Sequence, residues 1–384
     1  MQTKEKKYSL IVIFLFLTNY ILSQNYESYK ELADTTIASS YLGYNKNISV
    51  IVPKDWQQNI EKKFPLTILF DRQNKRSNQF IINTIDYLTI NDQMPASIIV
   101  SVDSEQMKRT KETLHKQTNS TGKAEENEFF IFNELIPFIE KNYKASKFRI
   151  LIGHSRYGYL TTYLFQKRLN ELNAVISLSP FFTTQKNINL ADSITKVNSY
   201  KGKSMKYYRY GIGNDYPDEF PVMEQSLKSI DNKLINAKGV LFQEAYHNTT
   251  PGLILPSVFY EVFEYWSNQL NQFFDIGNKD INQLAKASQN IENHYGYELR
   301  PSIGILNGKG WEFYNDKEYQ KAIMIWETLM KEYPNFSEGL LNIYWAQEEL
   351  NLDTKQTKER LIENLKHSKF YSESEKKEIL KEVE

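Results

Sequence analysis

The sequence contains no cysteine. Disulfides, a thiolate nucleophile and a lipid-bearing cysteine behind a leader are therefore excluded, and the fold must hold through its core alone. Histidine is nearly as scarce: the chain has five, His115, His154, His247, His294 and His367. None pairs with another at the short intervals of a metal site, so no metal is expected. No glycine-rich phosphate loop is present either, and nothing else asks for an organic cofactor. The charge has no bias, with 47 basic and 47 acidic residues, which argues against a nucleic-acid partner. Beyond the N-terminus, no apolar run approaches the roughly 20 residues needed to span a bilayer.

What is present at the N-terminus reads as a leader. Lys4, Lys6 and Lys7 precede a mostly apolar stretch over residues 9–22, followed by Ser23, Gln24 and a polar run. This is the pattern of a cleaved signal peptide over residues 1–24. The mature chain is then expected outside the cytoplasm, periplasmic or extracellular, with no stable membrane span.

The rest divides by pattern. With 41% apolar and 24% charged residues, the composition is that of a globular protein. Residues 25–275 alternate apolar, strand-like runs with helical ones. Strands are expected at 48–52, 66–70, 97–102, 148–152, 174–178, 207–212 and 239–242. Helices are expected at 126–143, 158–169, 221–235 and 256–274. Strand and helix in alternation, with continuous apolar strands, predict an α/β fold with a mostly parallel sheet covered on both faces. Residues 103–123 are polar and without periodicity, and read as a long loop. Residues 276–300 read as a connector.

From residue 301 the pattern is helical to the end. Gly310, Phe313, Ala322, Trp326 and Pro334 have the spacing of a tetratricopeptide repeat, in which small residues let two helices cross closely. A single good repeat is too little for an independent solenoid. A small all-α tail over 301–384, packed on the first domain and available to a protein partner, is expected.

The chemistry concentrates after the fourth strand. Gly153-His154-Ser155-Arg156-Tyr157-Gly158 lies between an apolar strand and a helical stretch, the setting of a nucleophile elbow. The sharp turn lifts the Ser155 hydroxyl above the sheet edge, with Arg156 presenting its backbone N–H to a forming oxyanion. One feature departs from the usual pentapeptide: Tyr157 stands where glycine is normal, so its ring must point away from the strand. A serine of this kind requires a carboxylate and then a histidine, in that order. His115 precedes the serine, His154 flanks it with a side chain expected to point the other way, and His294 and His367 lie beyond the alternating region. His247 remains. Asp215 follows the sixth strand and is the favoured carboxylate, with Asp218 and Glu219 as competitors. The second oxyanion donor is expected just past residues 66–70, from the backbone of Arg72 or Gln73, with Asp71 bracing the loop.

Together these residues resemble the putative esterase family of α/β hydrolases, which includes the esterase D and enterochelin esterase types. The likeness covers about residues 45–270. It rests on Pro65 to Asp71, on residues 98–102 with Arg109 beyond, on residues 134–139, on Gly153-His154-Ser155, on residues 177–180, and on His247 with Thr249, Thr250 and Pro251. The resemblance implies hydrolysis of carboxylic esters through an acyl-serine, without metal or cofactor, on a small-molecule, carbohydrate or siderophore ester. The competing expectation is a catalytically degenerate domain serving as a binding module through the helical tail.

Overall fold

The sheet expected from the apolar runs is present in the computed structural model, which describes residues 26–57, 62–116, 121–185, 188–368 and 370–384. The leader expected at residues 1–24 lies outside the described residues. The strands are β1 (Tyr29–Ser39), β2 (Tyr44–Pro53), β3 (Phe64–Phe70), β4 (Ile98–Val102), β5 (Ala145–His154), β6 (Ala174–Leu178), a short hairpin of β7 (Thr183–Gln185) and β8 (Ile188–Asn189), β9 (Lys206–Ile212) and β10 (Ile235–Leu241). Eight of them form one sheet in the order β1-β2-β4-β3-β5-β6-β9-β10. Pairing is parallel from β4 to β10 and antiparallel where β2 meets β4 and β1 meets β2. β3, β4, β6 and β9 are buried along their whole length. Strands covered on both faces give up the polar alternation of a half-exposed sheet, and β3, β4 and β6 read as largely apolar runs for that reason, while β9 buries Lys206 and Arg209 among its tyrosines.

Helices cover both faces. On one side α1 (Lys75–Ile90) packs with the long helix described below as α7, through Ile81, Ile82, Ile85, Leu255, Val258 and Val262. The other side is covered by α3 (Ala124–Phe129), α4 (Ile136–Tyr143) and α5 (Arg156–Lys167), which bury Ala124, Ile136, Ile139, Leu160 and Leu164. Before these, α2 (Gln106–Glu112) occupies the stretch expected to be a loop. Between α3 and α4 the expected continuous helix widens into a π-helical turn, Phe130–Leu135. Pro137, at the start of α4, has no N–H to give to the preceding turn, and the extra residue of a π turn absorbs that loss. Later come α6 (Glu219–Leu227), shorter than expected because residue 235 already belongs to β10, and α7 (Thr250–Phe274), which begins six residues earlier than expected and continues through Pro256.

The stretch read as a connector contains α8 (Asn282–Tyr295). It buries Leu284, Ala287, Ile291 and Tyr295 against the core shared with α7. Beyond it lie α9 (Ile303–Asn315), α10 (Tyr319–Glu332), α11 (Glu338–Glu349), α12 (Lys355–His367) and α13 (Glu373–Lys381). The α9–α10 crossing is close at Gly310, where a Cβ would sit 2.2 Å from Trp326 Nε1. Arg300 fixes this helical region to the sheet. Its guanidinium lies 4.4 Å from the ring centroid of Phe64, at the start of β3, and 4.5 Å from that of Tyr333, with Nη2 2.9 Å from Asp55. Those contacts are at the opposite end of β3 from Asp71. Among the described residues no helix is long and apolar enough to cross a membrane.

Candidate active site

In a parallel sheet the carboxyl ends of the strands share one edge, and side chains just beyond several of them converge there. The register pairs Leu69 with Ile152, His154 with Leu178, Leu178 with Gly211, and Ile212 with Leu241. Asp71, Ser155, Asp215 and the segment leading to His247 therefore leave the sheet on the same edge.

Ser155 sits between β5 and α5 with φ +58° and ψ −117°, a region non-glycine residues avoid. Its N–H donates to Leu178 O (2.8 Å) and its carbonyl accepts from Tyr159 N (2.9 Å), so the turn is held on both sides. A Cβ at Gly153 would lie 2.3 Å from the Tyr157 carbonyl oxygen, which only glycine tolerates. The tight approach to β6 falls one place later than usual, at Gly158, where a Cβ would meet Leu178 O at 3.1 Å.

Tyr157 makes its close approach through its backbone, and its side chain leaves toward β3. The ring stacks on Phe70 (4.6 Å between centroids, 9° between planes). Its hydroxyl donates to Glu112 Oε2 (2.5 Å) and lies 2.6 Å from Ser104 Oγ. Glu112 is fully buried; Lys46 Nζ donates to its two oxygens at 3.0 and 2.9 Å and Tyr44 OH at 2.7 Å. Burial would raise the Glu112 carboxyl, but the charge of Lys46 and the bonds from Ser104 and Tyr157 outweigh it and hold it below the usual range. Burial pushes the Lys46 ammonium down, opposed by Glu112 beside it. The unusual tyrosine thus has a prepared buried partner and does not disturb the turn.

Asp215 Oδ1 accepts from Gly213 N (3.1 Å), and Oδ2 is hydrogen-bonded to His247 Nδ1. A carboxylate only accepts, so Nδ1 carries the proton and Nε2 is left as the basic nitrogen. The competing carboxylates are placed differently. Asp218 is exposed at the start of α6. Glu219 accepts the backbone N–H groups of Phe182 and Thr183; its carboxyl is raised by burial and pulled back by those two bonds. Among the described residues no hydrogen bond joins His247 to Ser155 Oγ. Such contacts are often long before a substrate tightens them.

His154 corrects an expectation. Its side chain does not leave the site: the ring lies 4.6 Å from the His247 ring, and Nε2 donates to the His247 carbonyl (2.9 Å). Ser179 Oγ donates to the same carbonyl at 3.4 Å. Burial lowers the His154 pKa from 6.5 to about 4. The unfolded chain therefore takes up this proton first as pH falls. The stability contributed by neutral His154 is complete above pH 6.5 and is lost between pH 6.5 and about 4, which amounts to about 3 kcal/mol. We expect the urea midpoint to fall more steeply between pH 7 and pH 4 in the natural chain than in His154→Asn. Equal slopes would remove His154 as the cause.

The loop after β3 also corrects part of the sequence reading. Arg72 N–H donates to Val102 O (3.0 Å) and is not available to an oxyanion. Its side chain pairs with Asp34. Gln73 N–H has no hydrogen-bond partner among the described residues, so of the two named donors only Gln73 remains. Asp71 stands at φ +67°, braced by Arg109: Nε to Oδ1 and Nη2 to Oδ2 are both 2.7 Å. Arg109 Nη2 also donates to the His154 carbonyl (3.1 Å). One guanidinium thus ties the loop after β3 to the residue before Ser155. The remaining histidines lie elsewhere: His115 pairs with Glu125, His294 bonds Tyr207 and His367 is exposed beside Glu363.

Residues 39–237 match the family described as Putative esterase. No curated protein matches the sequence. Among solved structures the fold is similar to an IroE-like serine hydrolase from Shewanella oneidensis, at 16% identity and a TM-score of 0.64, over 79% of this chain and 99% of that one. It is also similar to an uncharacterised protein from Capnocytophaga ochracea, at 12% identity and a TM-score of 0.57, over 92% of this chain and 99% of that one. The BES protein from Bacillus cereus is a third, at 18% identity and a TM-score of 0.50, over 61% and 94%.

Proposed function

This chain belongs to the putative esterase family, and from that premise we propose that it is an exported serine hydrolase working through Ser155, Asp215 and His247. That it hydrolyses carboxylic esters follows from the family; the route is our reading. The observation that carries it is the Asp215–His247 hydrogen bond on the sheet edge from which Ser155 projects with φ +58°.

In this cycle His247 Nε2 takes the Ser155 proton as Oγ adds to the ester carbonyl. The N–H groups of Arg156 and Gln73 hold the oxyanion. The carbonyl re-forms as the alcohol leaves with the proton from His247, and the acyl group stays on Oγ. Water, deprotonated by the same imidazole, then releases the acid and restores the serine. Asp215 keeps the imidazole in the useful tautomer and stabilises it when charged. The substrate is a small-molecule ester; sugar and siderophore esters both fall in the class. The leader over residues 1–24 would export the enzyme. The helices from α9 onward, with Gly310 closed on Trp326, form a tetratricopeptide-like appendage at the end of the sheet away from Ser155, where a protein partner would leave the site open. The degenerate-domain reading drew on Tyr157, and the accommodated ring leaves it without a supporting observation.

A fluorophosphonate tests the route. Incubation should add one phosphonyl group to the peptide containing Ser155, by mass spectrometry. An active preparation with no adduct there would refute the acyl-serine route.

A further inference from the structure

Three arginines stand around the candidate site, and two of them are neutralised. Arg72 is paired with Asp34 and Arg109 with Asp71. Arg156 is different. It follows Ser155 directly, is half-buried, and no carboxylate among the described residues pairs with it. Its guanidinium lies over Phe181, 6.0 Å from the ring centroid. Phe181 meets Tyr216 edge to face at 5.7 Å, and Tyr216 meets His247 edge to face at 5.8 Å. The wall running from the candidate base is therefore aromatic and ends in a cation.

That wall is held in place. Phe181 stacks on the buried Tyr159 of α5 (5.5 Å, 17°), and the backbone of the next two residues donates to Glu219. A ring face beneath a guanidinium fixes its plane without neutralising its charge, and leaves the N–H fork directed at an acceptor. The N-terminus of α5 adds positive potential at the same place.

We infer that the Arg156 side chain selects esters carrying an anionic group, a carboxylate in the simplest case, close to the scissile bond. This rests on the catalytic reading above. The backbone N–H of Arg156 would serve the oxyanion whatever the substrate; its side chain would serve a particular substrate class. The aromatic wall accepts an apolar or aryl segment between the ester and the charge. The carboxylate belongs either to the acyl half or to the alcohol half of the ester, and the two are separable by experiment.

Two matched pairs of probes make the test. 4-Nitrophenyl hydrogen glutarate against 4-nitrophenyl butyrate places the charge on the acyl side. 4-Acetoxybenzoate against its methyl ester places it on the alcohol side. In at least one pair the anionic member should have the higher kcat/KM by about tenfold or more, the range of a hydrogen bond to a charged group. Arg156→Gln should erase that ratio, and Arg156→Lys, which keeps the charge but loses the planar fork, should retain part of it. The inference is overturned if neither pair shows a preference, if the preference survives in Arg156→Gln, or if that variant slows charged and neutral esters in parallel. If the natural chain hydrolyses none of the four and Ser155 takes no phosphonate, the catalytic reading itself has failed and the inference falls with it.

Discussion

Replacing Ser155 by alanine should lower kcat for 4-nitrophenyl butyrate by roughly a million-fold, to the level of trace contaminants. The loss is this large because the nucleophile, its base and the tautomer-fixing carboxylate act as one device. Removing the hydroxyl leaves His247 with no proton to accept, and only the oxyanion donors continue to help. His247→Ala should cost about the same, and the double variant no more than either single one. Asp215→Asn is the more discriminating change. The amide turns the imidazole toward the wrong tautomer while keeping the shape of the site, at about a 10,000-fold cost in kcat. Asp218→Asn, exposed at the start of α6, should stay within about twofold. A loss at Asp218 that matched the one at Asp215 would show that the acid had been misassigned. Each rate must be taken on protein whose circular dichroism matches the natural chain.

The parts of this site that could be read in the sequence are those governed by local pattern and by scarcity. β3, the second half of β5 and β9 are buried; the first two read as largely apolar runs, and β9 reads as a strand through its tyrosines, with Arg209 among them. The residues at their ends, Asp71, Ser155 and Asp215, could be placed on one edge from strand ends alone. With five histidines, chain order, the place of His154 beside the serine and the extent of the alternating region left only His247. Other features depend on contacts between distant segments and leave no local trace. The N–H of Arg72 is occupied because a neighbouring strand presents the Val102 carbonyl; no sequence rule separates it from Gln73. β1 is an edge strand with alternating exposure and few large apolar residues, and its pairing with β2 organises it more than its own pattern does. α2 looked structureless because its charged residues find their partners elsewhere: Arg109 on Asp71, and Glu112 on Lys46. α8 carries few large side chains and is ordered by packing on α7. Tyr157 is the sharpest case. As a residue type it argued against the elbow, and only the buried Glu112 network explains why a ring is admitted there.

That network leads to the largest expected effect on stability. Lys46→Met should destabilise the fold by about 3–5 kcal/mol, the usual consequence of leaving one half of a buried ion pair behind. Glu112 is fully buried; without Lys46 its carboxylate keeps the bonds from Ser104, Tyr157 and Tyr44 but loses its counter-ion. Protonating it to avoid the charge would turn an acceptor of several bonds into a poorer one. The stabilisation cannot come from net attraction between the two charges, since withdrawing both from water offsets most of that attraction. It comes from completeness, each polar atom of the cluster having a partner. Substitutions at its three members should therefore couple. Lys46→Met with Glu112→Leu and Tyr157→Phe, which removes both buried charges and the Tyr157 hydroxyl together and leaves only the Ser104 and Tyr44 hydroxyls without Glu112, should recover part of the loss in urea unfolding. Simple additivity of the three changes would show that the cluster does not act as a unit. Activity separates packing from positioning. Tyr157 is bound to the cluster and is next in sequence to Arg156, whose N–H is the proposed oxyanion donor. If the cluster sets that donor's place, the triple variant should regain stability while its kcat, measured where it is fully folded, stays about tenfold or more below that of the natural chain. If kcat returns with stability, the buried pair serves the fold alone.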